Sequence, residues 1–311
     1  MTEYSGSDIP FLSASATAAA IRAKDVSSVE VVQAYLDRID RLDPTLKAYI
    51  TVCREEALTA ASQLDSDLAS GANCGSLAGV PVAVKDQYQT AGILTTNGSK
   101  VYQNFVPTQD ATVVSRIKQA GGILLGKLNL SELAMGGTEQ PPWGIPGNPW
   151  DLERTPGESS SGSGVALAAH LCAASMGEDT GGSGRGPASY CGVVGLRPTF
   201  TRITRYGMTP MCWFMDAAAP MTKTVEDCAL LLGTIAGYDP NDLFTSRRAV
   251  PDYTADLGKS ISGLRVGLIR ELHESADFHP EVKSAIEAAM EVFRNLGCQM
   301  QEVSIPLIAT A

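Results

Sequence analysis

The sequence predicts an α/β fold in which a central twisted sheet, mixed but mostly parallel, is flanked by helices. Three observations predict it. Short apolar runs alternate with amphipathic stretches of helical spacing, as strands joined by crossover helices do. Hydrophobic residues fill 44% of the 311 positions, enough for a substantial core. No repeat, low-complexity tail or clear linker divides the chain, so it reads as one domain over 1–311.

The elements follow in order. Ser27-x-x-Glu30 is a capping-box pattern, and Val32, Leu36, Ile39 and Leu42 share one helical face, predicting a helix over 27–43 that Pro44 ends. A second helix is expected over 54–70. The run GVPVAVKD, with Val80, Val82, Ala83 and Val84, is apolar and too short for a normal helix, so it predicts a buried strand. A helix over 110–122 with a glycine stop, a strand over 123–125 and a helix over 129–135 come next. An apolar helix over 165–176 separates two glycine-serine loops. A helix over 224–237, a strand over 264–269 and a helix over 280–296 complete the pattern, and the polar segment 238–262 reads as a surface excursion.

Charge and cysteine content exclude several function classes. The formal net charge of -10 argues against a general nucleic-acid or anionic-membrane surface. Seven cysteines without a CxxC pair suit a reducing compartment, and neither a secretory leader nor a run of about 18 apolar residues is seen. A cytoplasmic protein without nucleic-acid or membrane partners is expected.

The chemistry concentrates in residues 156–187, PGESSSGSGVALAAHLCAASMGEDTGGSGRGP. Consecutive amides in a glycine turn can converge on one oxyanion, and Ser183 follows Gly181 and Gly182 in such a turn. The histidines His170, His273 and His279 lie outside any loop with a candidate nucleophile, so a Ser-His-Asp triad is not expected. A desolvated, neutral lysine is the other way to activate a serine, and Lys85 at the end of the apolar strand fits that need. Read alone, Lys85 could equally pair with its neighbour Asp86. A phosphate-binding loop is a weak reading, because neither GxxxxGK[ST] nor GxGxxG after a strand is present.

Together these segments resemble the amidase signature family. The resemblance takes in GVPVAVKD around Lys85, GKLNLSELAMGGTE (126–139), NPWDLERTPGESSSGSG (148–164), GEDTGGSGRGPASYCGVVGLRPTFTRITRYG (177–207) and PMTKTVEDCALLL (220–232). It implies a catalytic group of Lys85, Ser159 preceded by a cis peptide bond, and Ser183 as nucleophile. It further implies an oxyanion hole from the amides of Thr180, Gly181, Gly182 and Ser183, hydrogen-bonding support from Ser160 and Arg185, and a pocket wall at Met135, Gly136 and Gly137. No metal or organic cofactor is implied.

The chain departs from the family pattern at Glu158, Ser161 and Gly184. Glu158 is expected to place a carboxylate near Lys85, raise its pKa and shift activity to alkaline pH. The family domain extends further at its C-terminal end, so an incomplete sheet with an open edge is expected, and that edge could pair with a second copy. The resemblance implies an amidohydrolase acting on a small-molecule carboxylic amide. The alternatives are the glutaminase component of a tRNA-dependent amidotransferase and a truncated, catalytically silent scaffold. Because the text at 210–220, PMCWFMDAAAP, lacks the serine-rich run associated with that component, the free-standing amidase is the preferred expectation.

Overall fold

Ser13 and Ser27 each accept the backbone N–H three residues on, and these caps start α1 (Ala14–Ala23) and α2 (Ser28–Leu46). The computed structural model describes residues 5–135, 141–274 and 279–310. At Ser27 the capping box is complete, with the Glu30 carboxylate accepting the Ser27 N–H at 2.8 Å. Pro44 lies inside the last turn and does not end the helix before it. The chain leaves α2 at Lys47, in the left-handed region with φ 53°.

The chain forms two compact units, Met1–Ala255 and Asp256–Ala311. In the first unit the strands are β1 (Tyr49–Val52), β2 (Pro81–Lys85), β3 (Ile123–Leu128), β4 (Ala174–Asp179), β5 (Val194–Gly195) and β6 (Ala217–Thr222), in the order β1-β3-β2-β4-β6-β5. The centre is parallel, β3-β2-β4, while β1 and β6 add antiparallel strands on either side. Helices α3 (Arg54–Ala69), α4 (Thr112–Gln119), α5 (Ser161–Ala168), α6 (Arg185–Cys191) and α7 (Val225–Ile235) accompany this sheet, as expected for the α/β class. Val80, Val82 and Val84 are fully buried among Leu36, Leu125, Leu167 and Met176, so the GVPVAVKD strand runs through the core.

The second unit is a smaller βαβ arrangement. Strands β7 (Arg265–Ile269) and β8 (Gln299–Val303) are parallel, and between them lie α8 (Arg270–His273) and α9 (Pro280–Asn295).

Two expected elements differ from the structure, and strand β6 was not among those expected. The apolar run over 165–176 is not one helix: α5 begins earlier, ends at Ala168, and a turn with His170 at φ 56° reverses the chain into β4. The run is apolar but for His170 and Ser175 and is mostly buried, and periodicity cannot separate a short buried helix from a buried strand. The expected helix over 129–135 is a single 3₁₀ turn, Glu132–Ala134, with Leu133 at φ 52°. Strand β6, AAAPMT, lacks β-branched side chains apart from its last residue and contains a proline. It is fixed by six register pairs with β4 rather than by its own propensity.

Candidate active site

Strand β2 ends with Lys85 and β4 ends with Asp179, so two neighbouring parallel strands deliver their carboxyl ends to one place. Crevices at the carboxyl ends of parallel strands are where open α/β sheets bind ligands. The two glycine-serine loops meet there. Ser159 precedes α5 and follows a cis Glu158-Ser159 peptide bond, as the resemblance implied. Ser183 lies in the turn between β4 and α6.

Lys85 is fully buried, and its Nζ donates to Ser159 Oγ at 2.7 Å. The alternative of a Lys85–Asp86 pair is not adopted, because Asp86 faces Lys127 Nζ of β3 at 3.1 Å. Burial pulls the Lys85 ammonium below its ordinary range, opposed chiefly by Glu178 and then by Asp216 and Asp179. Ser160 N–H donates to the Ser183 carbonyl at 3.2 Å, which locks the two loops together. The Ser160 hydroxyl bridges to β4, donating to the Glu178 carbonyl and accepting the Glu178 N–H, each at 3.1 Å. Ser160 therefore ties the two loops to each other and to β4 by hydrogen bonds.

Asp179 organises the turn that carries Ser183. Its carboxylate accepts the amides of Gly182, Gly184 and Arg185, the Arg185 guanidinium at 2.9 Å, and Arg197 at 3.1 Å. Burial pushes this carboxyl up, but the Arg185 hydrogen bonds and charge more than offset it and hold it at about 2. Arg197 also clamps the neighbouring chain, donating to the carbonyls of Asp179, Thr180 and Met215.

This geometry corrects the expected oxyanion set at one member. The Gly182 N–H is directed at Asp179 Oδ1 at 2.9 Å, whereas the amides of Gly181 and Ser183 have no partner among the described residues. A Cβ built on Gly181 would meet nothing within 4 Å, so the turn faces open space on that side. The Thr180 hydroxyl lies against two buried carboxyl groups, Glu178 Oε1 and, at 2.6 Å, Asp216 Oδ1. Ser183 is partly exposed, and its hydroxyl makes no hydrogen bond among the described residues. Met135 is 67% exposed at the end of the 3₁₀ turn, and Gly136 and Gly137 lie outside the described residues.

The carboxylate expected from Glu158 is supplied by a different residue. Glu158 is exposed, whereas Glu178 on β4 is fully buried and its Oε2 lies 3.1 Å from Lys85 Nζ. Reading 165–176 as one helix concealed this, because only a strand over 174–179 brings Glu178 alongside β2. Asp179, Arg197 and Asp216 were missed as well. The acidic residue before the glycine turn was the one local signal that could have pointed to Asp179.

Gly184 has a packing reason. A Cβ there would lie 2.6 Å from Ala219 Cβ of β6. Gly184→Ala is expected to cost about 1–3 kcal/mol in urea unfolding, as overpacked sites do, with Ala219→Gly restoring most of it. Ser161, the third departure, is buried as the first residue of α5. His170 packs against Phe11, with ring centroids 4.5 Å apart, away from these loops, and burial lowers it to about 4. No cluster of metal-ligating side chains occurs among the described residues, and none of their helices is long and apolar enough to cross a membrane.

Comparison with known proteins identifies the relatives. The amidase family model matches residues 30–311. The A subunit of glutamyl-tRNA(Gln) amidotransferase from Chromohalobacter salexigens is 48% identical over 290 residues, covering 93% of this chain and 59% of that protein. The protein of the same name from Thermosynechococcus vestitus is 46% identical over 287 residues, covering 92% of this chain and 59% of that protein. Among solved structures, native peptide amidase from Stenotrophomonas maltophilia superposes with a TM-score of 0.91 at 35% identity, covering 97% of this chain and 64% of that chain. The glutamyl-tRNA(Gln) amidotransferase A subunit from Thermotoga maritima gives 0.84 at 37% identity, covering 97% and 63%. The chain thus spans 59% of the length of these two curated relatives.

These names overturn the expected partners. A free small-molecule amide, no nucleic acid and at most a second copy of the chain were expected. The curated relatives are instead named as one component of an amidotransferase for glutamyl-tRNA(Gln). The preference drawn from residues 210–220 falls with that expectation. With the family model covering residues 30–311 and relatives at 46% and 48% identity, the chain belongs to the amidase family of enzymes.

Proposed function

We propose that this chain carries the amide-cleaving site of a glutamyl-tRNA(Gln) amidotransferase, in the role of its A subunit, releasing ammonia from the carboxamide of glutamine for partner proteins that hold the aminoacyl-tRNA. The observation that carries the reaction class is Lys85 Nζ seated 2.7 Å from the hydroxyl of cis-bonded Ser159 in a fully buried site. The choice of amide rests on the 45–48% identity to proteins of that name, against 35% to the peptide amidase.

In this reading neutral Lys85 accepts the Ser159 proton, Ser159 accepts that of Ser183, and Ser183 Oγ attacks the carboxamide carbon. The amides of Thr180, Gly181 and Ser183 receive the oxyanion. Collapse of the tetrahedral intermediate breaks the C–N bond, and the returning proton leaves with ammonia. Water then enters by the same relay and releases the carboxylate. Asp179, pinned by Arg185 and Arg197, fixes the turn that presents these amides.

The test is ammonia release from glutamine and from a C-terminally amidated peptide, with and without the partner proteins and glutamyl-tRNA(Gln). Glutamine hydrolysis that the partners and the tRNA stimulate is expected. Hydrolysis of the peptide amide with none of glutamine would transfer the reading to a peptide amidase, which the TM-score of 0.91 favours as the second choice.

A further inference from the structure

Three carboxyl groups surround the buried Lys85 amine, and they are not equivalent. Asp179 of β4 is compensated by Arg185 and Arg197. Asp216, just before β6, accepts the amides of Met211 at 2.9 Å and Cys212 at 2.9 and 3.0 Å. Among the described residues Glu178 of β4 has one cationic partner, Lys85, at 3.1 Å, and both side chains have zero exposure. The other charged pair nearby, Lys127 of β3 with Asp86, is closed on itself at 3.1 Å. Tyr88, after β2, turns its hydroxyl to the Gly177 carbonyl at 2.7 Å and adds no charge. Lys85 and Glu178 therefore form one neutral buried unit.

We propose that Glu178 is a positioning residue of the relay: it orients Lys85 toward Ser159 and holds the proton on Lys85 until solvent alkalinity removes it. The inference deepens the proposed function and rests on its Lys85–Ser159–Ser183 assignment. Glu178 Oε2 and Ser159 Oγ both accept from Nζ, so the amine is fixed between them. Glu178 Oε1 also lies against the Thr180 hydroxyl, which sits between it and Asp216 Oδ1 and donates its one proton to either of them, next to the turn that carries Ser183. Starting the relay requires one Nζ–H bond to break, the proton passing to hydroxide or buffer base while Glu178 stays anionic. The freed Nζ lone pair then forms the new N–H bond with the Ser159 proton. An opposite charge at this distance stabilises the ammonium, so Glu178 moves the onset of reactivity to higher pH.

The test follows phosphonylation of Ser183 by a fluorophosphonate from pH 5 to 10, with 13Cε NMR titration of Lys85 assigned through Lys85→Met. In Glu178→Gln, both the Lys85 midpoint and the acid limb of labelling are expected to fall by about 1–3 pH units, so that labelling on the limb is at least about tenfold faster than in the wild type. A midpoint and limb that stay in place, a shift to higher pH, or a folded Gln variant that reacts at no pH would overturn the proposal. Should Glu178→Gln fail to fold, Glu178→Asp keeps the charge but draws it back by one methylene. A limb at lower pH than the wild type then supports the proposal, and an unmoved limb with a lower plateau overturns it. Wild-type protein that forms no Ser183 adduct at any pH defeats the proposed function instead, while the Lys85 titration still reports whether Glu178 holds its proton.

Discussion

Lys85→Met is expected to lower amide hydrolysis by about 10⁴-fold or more, because it removes the base of the proposed relay, and triad-like groups lose most of their effect when any essential member goes. The same substitution is expected to cost about 3–5 kcal/mol in stability, since breaking a buried ion pair from one side leaves an uncompensated charge. Glu178 is that charge, with no exposed surface and Lys85 as its cation at 3.1 Å. At neutral pH the stranded carboxyl must remain ionised without a partner or take up a proton, and both are unfavourable. The double variant Lys85→Met/Glu178→Leu should recover most of the stability, as apolar replacement of buried pairs often does, and none of the activity. Urea unfolding beside initial rates for the wild type, both single variants and the double variant separates the two effects. Activity returning together with stability in the double variant would show that Lys85 acts only as a structural cation.

Asp179→Asn is the second large effect. The carboxylate receives three backbone amides and two guanidinium groups, and an asparagine oxygen cannot replace its charge for Arg185 and Arg197. A loss of roughly 3 kcal/mol in stability is expected. If the turn relaxes, the Gly181 and Ser183 amides lose their aim, and a fall of about 10²–10³-fold in Ser183 reactivity should follow. The pH dependence has a definite sign. Asp179 is held at about 2 in the folded chain, below the ordinary carboxyl value near 4, so its contribution is present above pH ~4 and is lost as pH falls toward 2. The difference in unfolding free energy between the wild type and Asp179→Asn should therefore shrink over that window and stay constant above it. A difference that persists unchanged at pH 2 would remove Asp179 from the ion-paired role.

Much of the fold was legible where local signals agree with tertiary demands. The Ser27 capping box, the short apolar run GVPVAVKD and the amphipathic stretch that follows Pro280 each carry a local signal that the structure meets. Legibility failed where burial removed the pattern. The run from Val165 to Met176 is apolar but for His170 and Ser175, so helix α5 and strand β4 cannot be told apart by alternation, and the missed strand concealed Glu178. Strand β6 is defined by its neighbour β4 and has little propensity of its own. In the candidate site, the resemblance picked out Lys85, Ser159 and Ser183 by their positions along the chain, and the fold brings Lys85 to Ser159 and the Ser183 loop beside the Ser159 loop. Arg197, Asp216 and Glu178 were not, because their roles come from strand register and from loops that meet only in three dimensions. Glu158 shows the same limit: adjacency to Ser159 in sequence suggested a charge near Lys85, and the backbone points that residue outward.

The relay from Lys85 through Ser159 to Ser183 is tested most directly by mass spectrometry of the chain after reaction with a fluorophosphonate at pH 8. One adduct is expected, on the peptide carrying Ser183, absent from Ser183→Ala and reduced by several orders of magnitude in Lys85→Met. An adduct on Ser159 or another serine, or labelling of Ser183 that survives loss of Lys85, would contradict the relay.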